Sequence, residues 1–205
     1  MIRIRRMTEG DARRAAALEK ENFSEPWTET AFLDTLRLDY AYYYVAEMDE
    51  TTAGMEKPAK QQEGEEQQER ENILQRNEEK DASGGKKFIT GICGLRVIAG
   101  EGEITNVSVD RNYRKRGIGA AMLEHVLEEG KKLGIEAFTL EVRCSNQPAI
   151  RLYEKFGFIG EGVRKGFYKA AFGQNGEARE DALIMWKRQE RNGGITTVFT
   201  AKAHV

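Results

Sequence analysis

The sequence ITNVSVDRNYRKRGIGAAMLEHVLEEGKKLG, residues 104–134, decides the fold. Residues 103–109 (EITNVSV) are rich in β-branched side chains and predict a strand. Apolar side chains then recur at helical spacing and predict a helix over 117–133, with Gly134 as its C-terminal stop. The apolar positions of this helix are Ile118, Ala121, Met122, Val126, Leu127 and Leu133.

The basic turn RNYRKRGIG, residues 111–119, joins this strand to this helix. Glycines at the start of a helix let an anionic ligand approach the backbone N–H groups, and the helix dipole favours negative charge there. The spacing of the glycines fits neither a Walker loop nor a Rossmann fingerprint. Alone, the basic run would indicate a surface patch or a weak nucleic-acid contact, but its place between strand and helix favours a diphosphate site.

Further strands and helices flank this unit on both sides. Apolar residues at helical spacing, bounded by capping residues, glycine or proline, predict helices at 8–20 and 145–157 and a second N-terminal helix after Pro26. Predicted strands lie at 40–48, 88–98, 138–143, 158–163 and 181–188. Strands 88–98 and 103–109 are expected to form a hairpin through residues 99–102. This order of elements predicts an α/β or α+β sheet covered by helices.

The chain of 205 residues is about the size of one domain. Residues 49–87 contain no aromatic side chain, with 11 acidic and 7 basic residues, whereas the other 166 residues carry 23 acidic and 25 basic ones. Such a composition buries too little surface to offset its ordering entropy, so we expect a flexible acidic insertion there. The expected organisation is a single domain over 1–188 with this insertion, followed by a C-terminal tail over 189–205.

Several classes of protein are not expected. The N-terminus lacks the apolar region of a signal peptide, and no apolar run approaches 18 residues, so a cytoplasmic protein without a membrane span is predicted. Cys93 and Cys144 form no CxxC pair, which argues against a disulfide framework or a zinc site. The two histidines, His125 and His204, lie near no other cluster of ligand residues, so no metal site is expected.

Residues 114–119 (RKRGIG) match the pattern Q/R-x-x-G-x-G/A, and LEVRCSN at 140–146 is followed by LYEKFGF at 152–158. These motifs resemble the GNAT superfamily of N-acetyltransferases, and more closely its branch of bacterial ribosomal-protein-alanine N-acetyltransferases, the RimI type. The resemblance is strong over 103–186, weaker at 25–32, and absent over 49–87 and 189–205. It implies the GNAT fold, a mixed and largely antiparallel central sheet flanked by helices.

The resemblance also implies acetyl-CoA as co-substrate and assigns site residues. Glu141 would be the general base and Tyr153 the general acid that protonates the CoA thiolate, and Tyr168 would line the acceptor groove. The residues alone favour a surface carboxylate paired with Arg143 for Glu141, and they allow a core aromatic for Tyr153. The residues expected to bind acetyl-CoA are Val107, Ser108, Val109, Arg114, Lys115, Arg116, Gly117, Ile118, Gly119, Ala120 and Asn146, the last of which could also cap a helix.

The implied reaction is acetylation of the N-terminal α-amine of a protein, foremost the alanine of a small-subunit ribosomal protein. Freeing a neutral α-amine at pH 7 costs about 1 kcal/mol, against about 4.6 kcal/mol for lysine, which suits a single carboxylate base. A small-molecule amine or a lysine as acceptor, or a non-catalytic module that binds CoA or a protein partner, stays open. Neither nucleic acid nor a membrane is expected as a partner.

Overall fold

The computed structural model describes residues 1–49, 79–80, 86–169 and 179–188. Its helices are α1 (Ala12–Asn22), α2 (Glu29–Leu36), α3 (Ile118–Lys132) and α4 (Gln147–Lys155), with short 3₁₀ turns at Glu9–Asp11 and Arg111–Tyr113. Its strands are β1 (Arg3–Arg6), β2 (Ala41–Asp49), β3 (Glu79–Lys80), β4 (Lys86–Ile98), β5 (Glu101–Val109), β6 (Ala137–Arg143), β7 (Ile159–Lys169) and β8 (Arg179–Arg188).

The strands form one mixed sheet in the order β1-β2-β4-β5-β6-β8-β7, with the two-residue β3 paired to β4. Among the described strands, only the β5–β6 pair is parallel, and the other pairs are antiparallel. The predicted α+β architecture and largely antiparallel sheet are therefore confirmed. Strand β1 was missed, because its sequence RIRR carries three arginines and only one apolar residue.

The predicted hairpin forms, but its turn is shorter than the expected four residues. Only Ala99 and Gly100 connect β4 to β5, and both have positive φ, 52° and 83°. Two turn residues with positive φ form a tight hairpin turn, and the twist of this turn matches the twist of the strands. Gly102, expected in the loop, is part of β5 and lies close to Phe138.

Two hydrophobic clusters cover the two faces of the sheet. The larger cluster includes the apolar side of α3, residues Ile150 and Tyr153 of α4, and the inward row Phe138, Leu140 and Val142 of β6. The smaller cluster packs α1 and α2 on the opposite face around Tyr43. Alternation along β6 therefore turns Glu141 toward the α1 face.

Strands β5 and β6 are paired only over four residues, from Glu101–Ala137 to Ile104–Leu140. Beyond that point β5 continues to Val109 and β6 to Arg143. An extra residue, Thr105, interrupts the β4–β5 register, since Leu95 pairs with Ile104 and Gly94 with Asn106. A bulge bends its strand and ends regular pairing, which accounts for an opening between β5 and β6.

The predicted insertion over 49–87 lies mostly outside the described residues. Those of its residues that are described belong to strands: Asp49 ends β2, Glu79 and Lys80 form β3, and β4 begins at Lys86. The predicted tail over 189–205 lies entirely outside the described residues.

Candidate active site

The opening is bordered on one side by the second half of β5. The backbone N–H of Asp110 donates to the Thr90 carbonyl at 2.9 Å, and Val109 is paired with Gly91. In an antiparallel ladder this pattern makes Val109, and likewise Val107, residues whose backbone N–H and C=O point away from β4. The polar backbone groups of both valines therefore face the opening, where none of the described strands pairs with them.

Ser108 lies between these valines and points elsewhere. Its backbone groups face β4, and its buried hydroxyl accepts a hydrogen bond from the Asn22 amide at 2.6 Å. The structure thus places Val107 and Val109 at the opening and separates Ser108 from it. The Val109 carbonyl already accepts hydrogen bonds from Asn22 Nδ2 at 3.3 Å and Arg114 Nε at 3.4 Å.

The basic turn leads from the end of β5 to the start of α3. Gly117 is the residue before the helix and has φ +82°, a conformation that a side chain would strain. The backbone N–H groups of Ile118, Gly119 and Ala120, in the first turn of a 15-residue helix, have no intrahelical acceptor. This end of α3 is therefore suited to a phosphate group.

The basic side chains of this turn divide into two groups. The guanidinium of Arg114 donates to Asn22 Oδ1 and that of Arg111 to the Glu21 carbonyl, so both lie against the end of α1. Lys115 and Arg116 are exposed, with the Arg116 guanidinium 5.4 Å from the centre of the Tyr113 ring. All four residues are exposed, but Lys115 and Arg116 directly precede the helix N-terminus, whereas Arg111 and Arg114 contact α1.

A buried ion pair supports the turn from below. Arg14 of α1 and Asp110 are both less than one-tenth exposed, and Arg14 Nη2 lies 2.5 Å from Asp110 Oδ2. The other Asp110 oxygen accepts a hydrogen bond from the backbone N–H of Asn112 at 2.9 Å. Because a buried charge is tolerated only when paired, this contact fixes the turn against α1.

Glu141 is the first residue of β6 beyond the last parallel pair, at the point where the strands separate. Burial raises the pKa of its carboxyl, Arg164 opposes that effect, and Glu103 adds to it. The partner of this carboxylate is Arg164 of β7, at 2.9 Å, and not the neighbouring Arg143. A carboxyl with a raised pKa at the edge of a cleft is suited to accept and release a proton.

Tyr153 lies on the other face of the sheet. Its ring belongs to the larger hydrophobic cluster and packs edge-on to Phe158, with centroids 6.0 Å apart. Burial raises the pKa of its hydroxyl, and within the described part of the chain that hydroxyl has no hydrogen-bond partner. Glu141 and Tyr153 therefore lie on opposite faces of the sheet.

Asn146 and Tyr168 occupy the rim beyond β6. Asn146 is exposed and caps α4, since its Oδ1 accepts a hydrogen bond from the Ala149 N–H at 3.3 Å. The Tyr168 hydroxyl donates to the backbone carbonyl of Glu141 at 3.0 Å, and burial raises its pKa to about 12. This hydrogen bond holds the Tyr168 side chain against the backbone of Glu141.

The segment 23–28, between α1 and α2, contacts the end of β7 near Glu141. Arg143 Nη2 donates to Ser24 Oγ at 2.7 Å and to the Lys169 carbonyl at 2.9 Å, while its Nη1 pairs with Glu180 at 3.0 Å. Lys169 also pairs with Glu25 at 2.7 Å. The sequence does not indicate these contacts, because they join residues of different elements, and those of Ser24 and Glu25 join residues more than a hundred positions apart.

Neither a metal cluster nor a membrane-spanning helix occurs within the described ranges. No group of three or more histidine, cysteine, aspartate or glutamate side chains is placed to hold an ion there. No described helix is long and apolar enough to cross a membrane.

Comparison with known proteins gives consistent matches. The family model described as Acetyltransferase (GNAT) family matches residues 56–158. A Bacillus subtilis protein, named as a candidate ribosomal protein bS18-alanine N-acetyltransferase, is 29% identical over 184 residues, covering 89% of this chain and 93% of that protein. The Escherichia coli K12 ribosomal protein bS18-alanine N-acetyltransferase is 41% identical over 90 residues, covering 44% of this chain and 57% of that protein.

Solved structures share the fold. The crystal structure of the Escherichia coli ribosomal-protein-S18-alanine N-acetyltransferase has a TM-score of 0.66 and 25% identity, covering 94% of this chain and 97% of that one. Arabidopsis thaliana NAA60 in complex with acetyl-CoA has a TM-score of 0.66 and 17% identity, covering 92% and 98%.

Proposed function

The chain belongs to the acetyltransferase (GNAT) family, and we propose that it moves the acetyl group of acetyl-CoA to the N-terminal α-amine of a protein, foremost the alanine of a small-subunit ribosomal protein. The names of the Bacillus subtilis and Escherichia coli relatives support this acceptor. The single observation that carries the proposal is the place of Glu141, whose carboxylate stands where β5 and β6 separate.

Two parts of the chain fit acetyl-CoA. The outward backbone groups of Val107 and the backbone N–H of Val109 offer a strand edge to the amides of the pantetheine arm. The N-terminus of α3, preceded by Gly117 and flanked by Lys115 and Arg116, offers N–H donors and positive charge to the pyrophosphate. Both parts lie at the same end of β5, so one extended ligand can contact them together.

Glu141 serves as the general base in this proposal. Its raised pKa makes the carboxylate a better proton acceptor than an exposed glutamate, and the contact with Arg164 favours the ionised form. The carboxylate takes a proton from the acceptor ammonium, directly or through a water molecule. An α-amine needs only about 1 kcal/mol for this deprotonation at pH 7, which a single carboxylate can provide.

The deprotonated amine attacks the thioester carbonyl, forming the new C–N bond as the C–S bond breaks. N–H groups at the edge of β5 near Val107 can stabilise the charge that develops on the carbonyl oxygen. The Tyr153 hydroxyl gives its proton to the departing thiolate, and its place on the opposite face from Glu141 separates the acid from the base. No acyl-enzyme is required.

Purified protein, acetyl-CoA and synthetic peptides that differ in their first residue test the proposal by mass spectrometry. We expect one acetyl group on the α-amine of an alanine-starting peptide, and none on the same peptide with a blocked N-terminus and an internal lysine. Acetylation only of free small amines would refute the proposal.

Paired variants test the two roles. Glu141→Gln and Tyr153→Phe should each lower kcat by about 10² or more, as is typical of lost acid–base groups, with the acetyl-CoA Kd little changed. Glu161→Gln and Tyr42→Phe remove the same groups elsewhere in the sheet and should retain turnover. Unchanged turnover in Glu141→Gln and Tyr153→Phe would reject both assignments.

A further inference from the structure

Four polar side chains form a contact between α1 and β5, here named the α1–β5 polar seam: Glu19 and Asn22 on the helix, and Asn106 and Ser108 on the strand. Asn106 Nδ2 donates to Glu19 Oε1 at 2.9 Å, and Asn22 Nδ2 donates to Ser108 Oγ at 2.6 Å. Residues three apart lie on the same face of a helix, and residues two apart lie on the same face of a strand. Glu19 and Asn22 on one side therefore face Asn106 and Ser108 on the other. Glu19 is only 2% exposed.

The bulge at Thr105 makes the seam possible. Ile104 packs in the larger cluster on the α3 face, and regular alternation would turn Asn106 to that same face. The extra residue reverses the alternation, so that Asn106 and Ser108 face α1. Thr105 Oγ1 also donates to Asn106 Oδ1 at 3.1 Å, which leaves the amide nitrogen of Asn106 directed at Glu19.

Glu19 contacts a second element as well. Its other oxygen, Oε2, accepts a hydrogen bond from the backbone N–H of Trp27 at 3.5 Å. Trp27 belongs to segment 23–28, whose Ser24 and Glu25 contact Lys169 of β7. Lys169 follows Tyr168, whose hydroxyl donates to the Glu141 carbonyl. One buried carboxylate thus joins the separated half of β5 to the segment that contacts β7 next to Tyr168.

We propose that Glu19 is a positioning residue for the acceptor: by binding Asn106 and the Trp27 N–H together, it sets the distance between segment 23–28 and the β5–β6 opening. The inference rests on the proposed function, because it names the side of the cleft where the acceptor chain lies. Strand β5 keeps its ladder with β4 without Glu19, so acetyl-CoA binding depends on it much less than acceptor binding does.

Glutamine at position 19 cannot satisfy both donors. Its amide has one acceptor and one donor end, so either Asn106 Nδ2 or the Trp27 N–H faces another N–H group. Losing one hydrogen bond to a charged acceptor corresponds to a change of about tenfold in an equilibrium constant. Glu19→Gln should therefore raise the KM for an alanine-starting peptide about tenfold at pH 8 and change the acetyl-CoA Kd by less than about twofold.

The double variant Glu19→Gln with Asn106→Asp supplies the rescue. The glutamine amide can then donate to the carboxylate on β5 while its oxygen accepts from Trp27. Both hydrogen bonds are restored, and only the one to position 106 has its direction reversed. We expect the peptide KM to return toward that of the wild type. Glu128→Gln removes an exposed carboxylate from α3, away from the seam and the opening, and should leave both constants unchanged.

The measurements are steady-state kinetics with the peptide, calorimetry with acetyl-CoA, and circular dichroism of every variant. An unchanged peptide KM in Glu19→Gln, with an active wild type, would overturn the inference, as would a rise in KM that the double variant does not reverse. If Glu19→Gln does not fold, Asn106→Ala removes the same hydrogen bond from the strand side and should raise the peptide KM by a similar factor. A wild type that binds acetyl-CoA but acetylates no peptide would instead reject the proposed function.

Discussion

Replacing Glu19 by glutamine should change how the stability of the protein depends on pH. Burial raises the pKa of the Glu19 carboxyl from 4.5 to about 7, although the Asn106 amide and the Trp27 N–H oppose the effect. In the unfolded chain the carboxyl titrates near its ordinary value. Between these two pKa values the native state binds the proton and the unfolded state does not, so the wild type loses stability as the pH rises.

The size of the effect follows from the pKa difference. A difference of about 2.5 units at 1.36 kcal/mol per unit corresponds to about 3 kcal/mol of stability lost between about pH 4.5 and pH 7. The glutamine variant does not titrate at this position, and it loses one hydrogen bond, about 1 kcal/mol. At pH 5 the wild type has already lost about 0.8 kcal/mol of this stability, so we expect Glu19→Gln to be about as stable as the wild type near pH 5, and more stable by about 2 kcal/mol at pH 8.

Urea unfolding of both proteins at pH 5, 6, 7 and 8, followed by circular dichroism, gives the two stability curves. Subtracting one curve from the other removes the contribution of every other titrating group. Glu154→Gln, which removes an exposed carboxyl from α4, serves as the control and should run parallel to the wild type. Parallel curves for Glu19→Gln would refute the reasoning, because the native state would then hold Glu19 ionised over the whole range.

Two further predictions concern the basic turn. Gly117→Ala places a side chain on a residue with φ +82° and should lower the free energy of unfolding by about 1–2 kcal/mol. Gly119→Ala lies inside the first turn of α3 and should be neutral or stabilising by up to about 1 kcal/mol. Chemical denaturation of both variants tests these opposite signs. Asp110→Asn removes the nearer of the two carboxylates that pair with the buried Arg14 and leaves only Glu21, at 3.6 Å. It should cost about 3 kcal/mol, measured by the same method, and a loss below about 1 kcal/mol would contradict the structural importance of this ion pair.

Much of the fold could be predicted from local patterns. The helix after the basic turn begins and ends within one residue of its expected bounds, 118–132 against 117–133. Even the bulge has a signal in the sequence of β5: its apolar residues on the α3 side are Ile104, Val107 and Val109, so the alternation skips one residue. A strictly regular strand would have placed apolar residues at 104, 106 and 108.

The partners of the site residues could not be predicted in the same way. Glu141 was expected to pair, if at all, with Arg143 on the same strand face, but it pairs with Arg164 of β7. Strand β7 does not even neighbour β6, because β8 lies between them, and its register with β8 shifts twice. Such shifts depend on tertiary packing, and no local pattern in the sequence determines them.

Glu19 shows where a local pattern was available but incomplete. Ala12, Ala15, Glu19 and Asn22 follow one helical stripe, and a glutamate on an otherwise buried stripe indicates a buried carboxylate. The stripe does not say which groups meet that carboxylate, since its partners Asn106 and Trp27 come from two other parts of the chain. The role of Glu19 therefore required the structure.

Stability and acceptor binding are expected to respond to Glu19→Gln in opposite directions at pH 8. The free energy of unfolding should rise, because the burial penalty of an ionised carboxylate is removed, while acceptor binding should weaken, because one of two hydrogen bonds is lost. A residue with a purely structural role would lower both or neither. At pH 8, where more of the acceptor α-amine is neutral, the ionised Glu19 carboxylate lowers the stability of the protein. A residue that reduces stability under these conditions fits a role in function, since activity and stability often conflict.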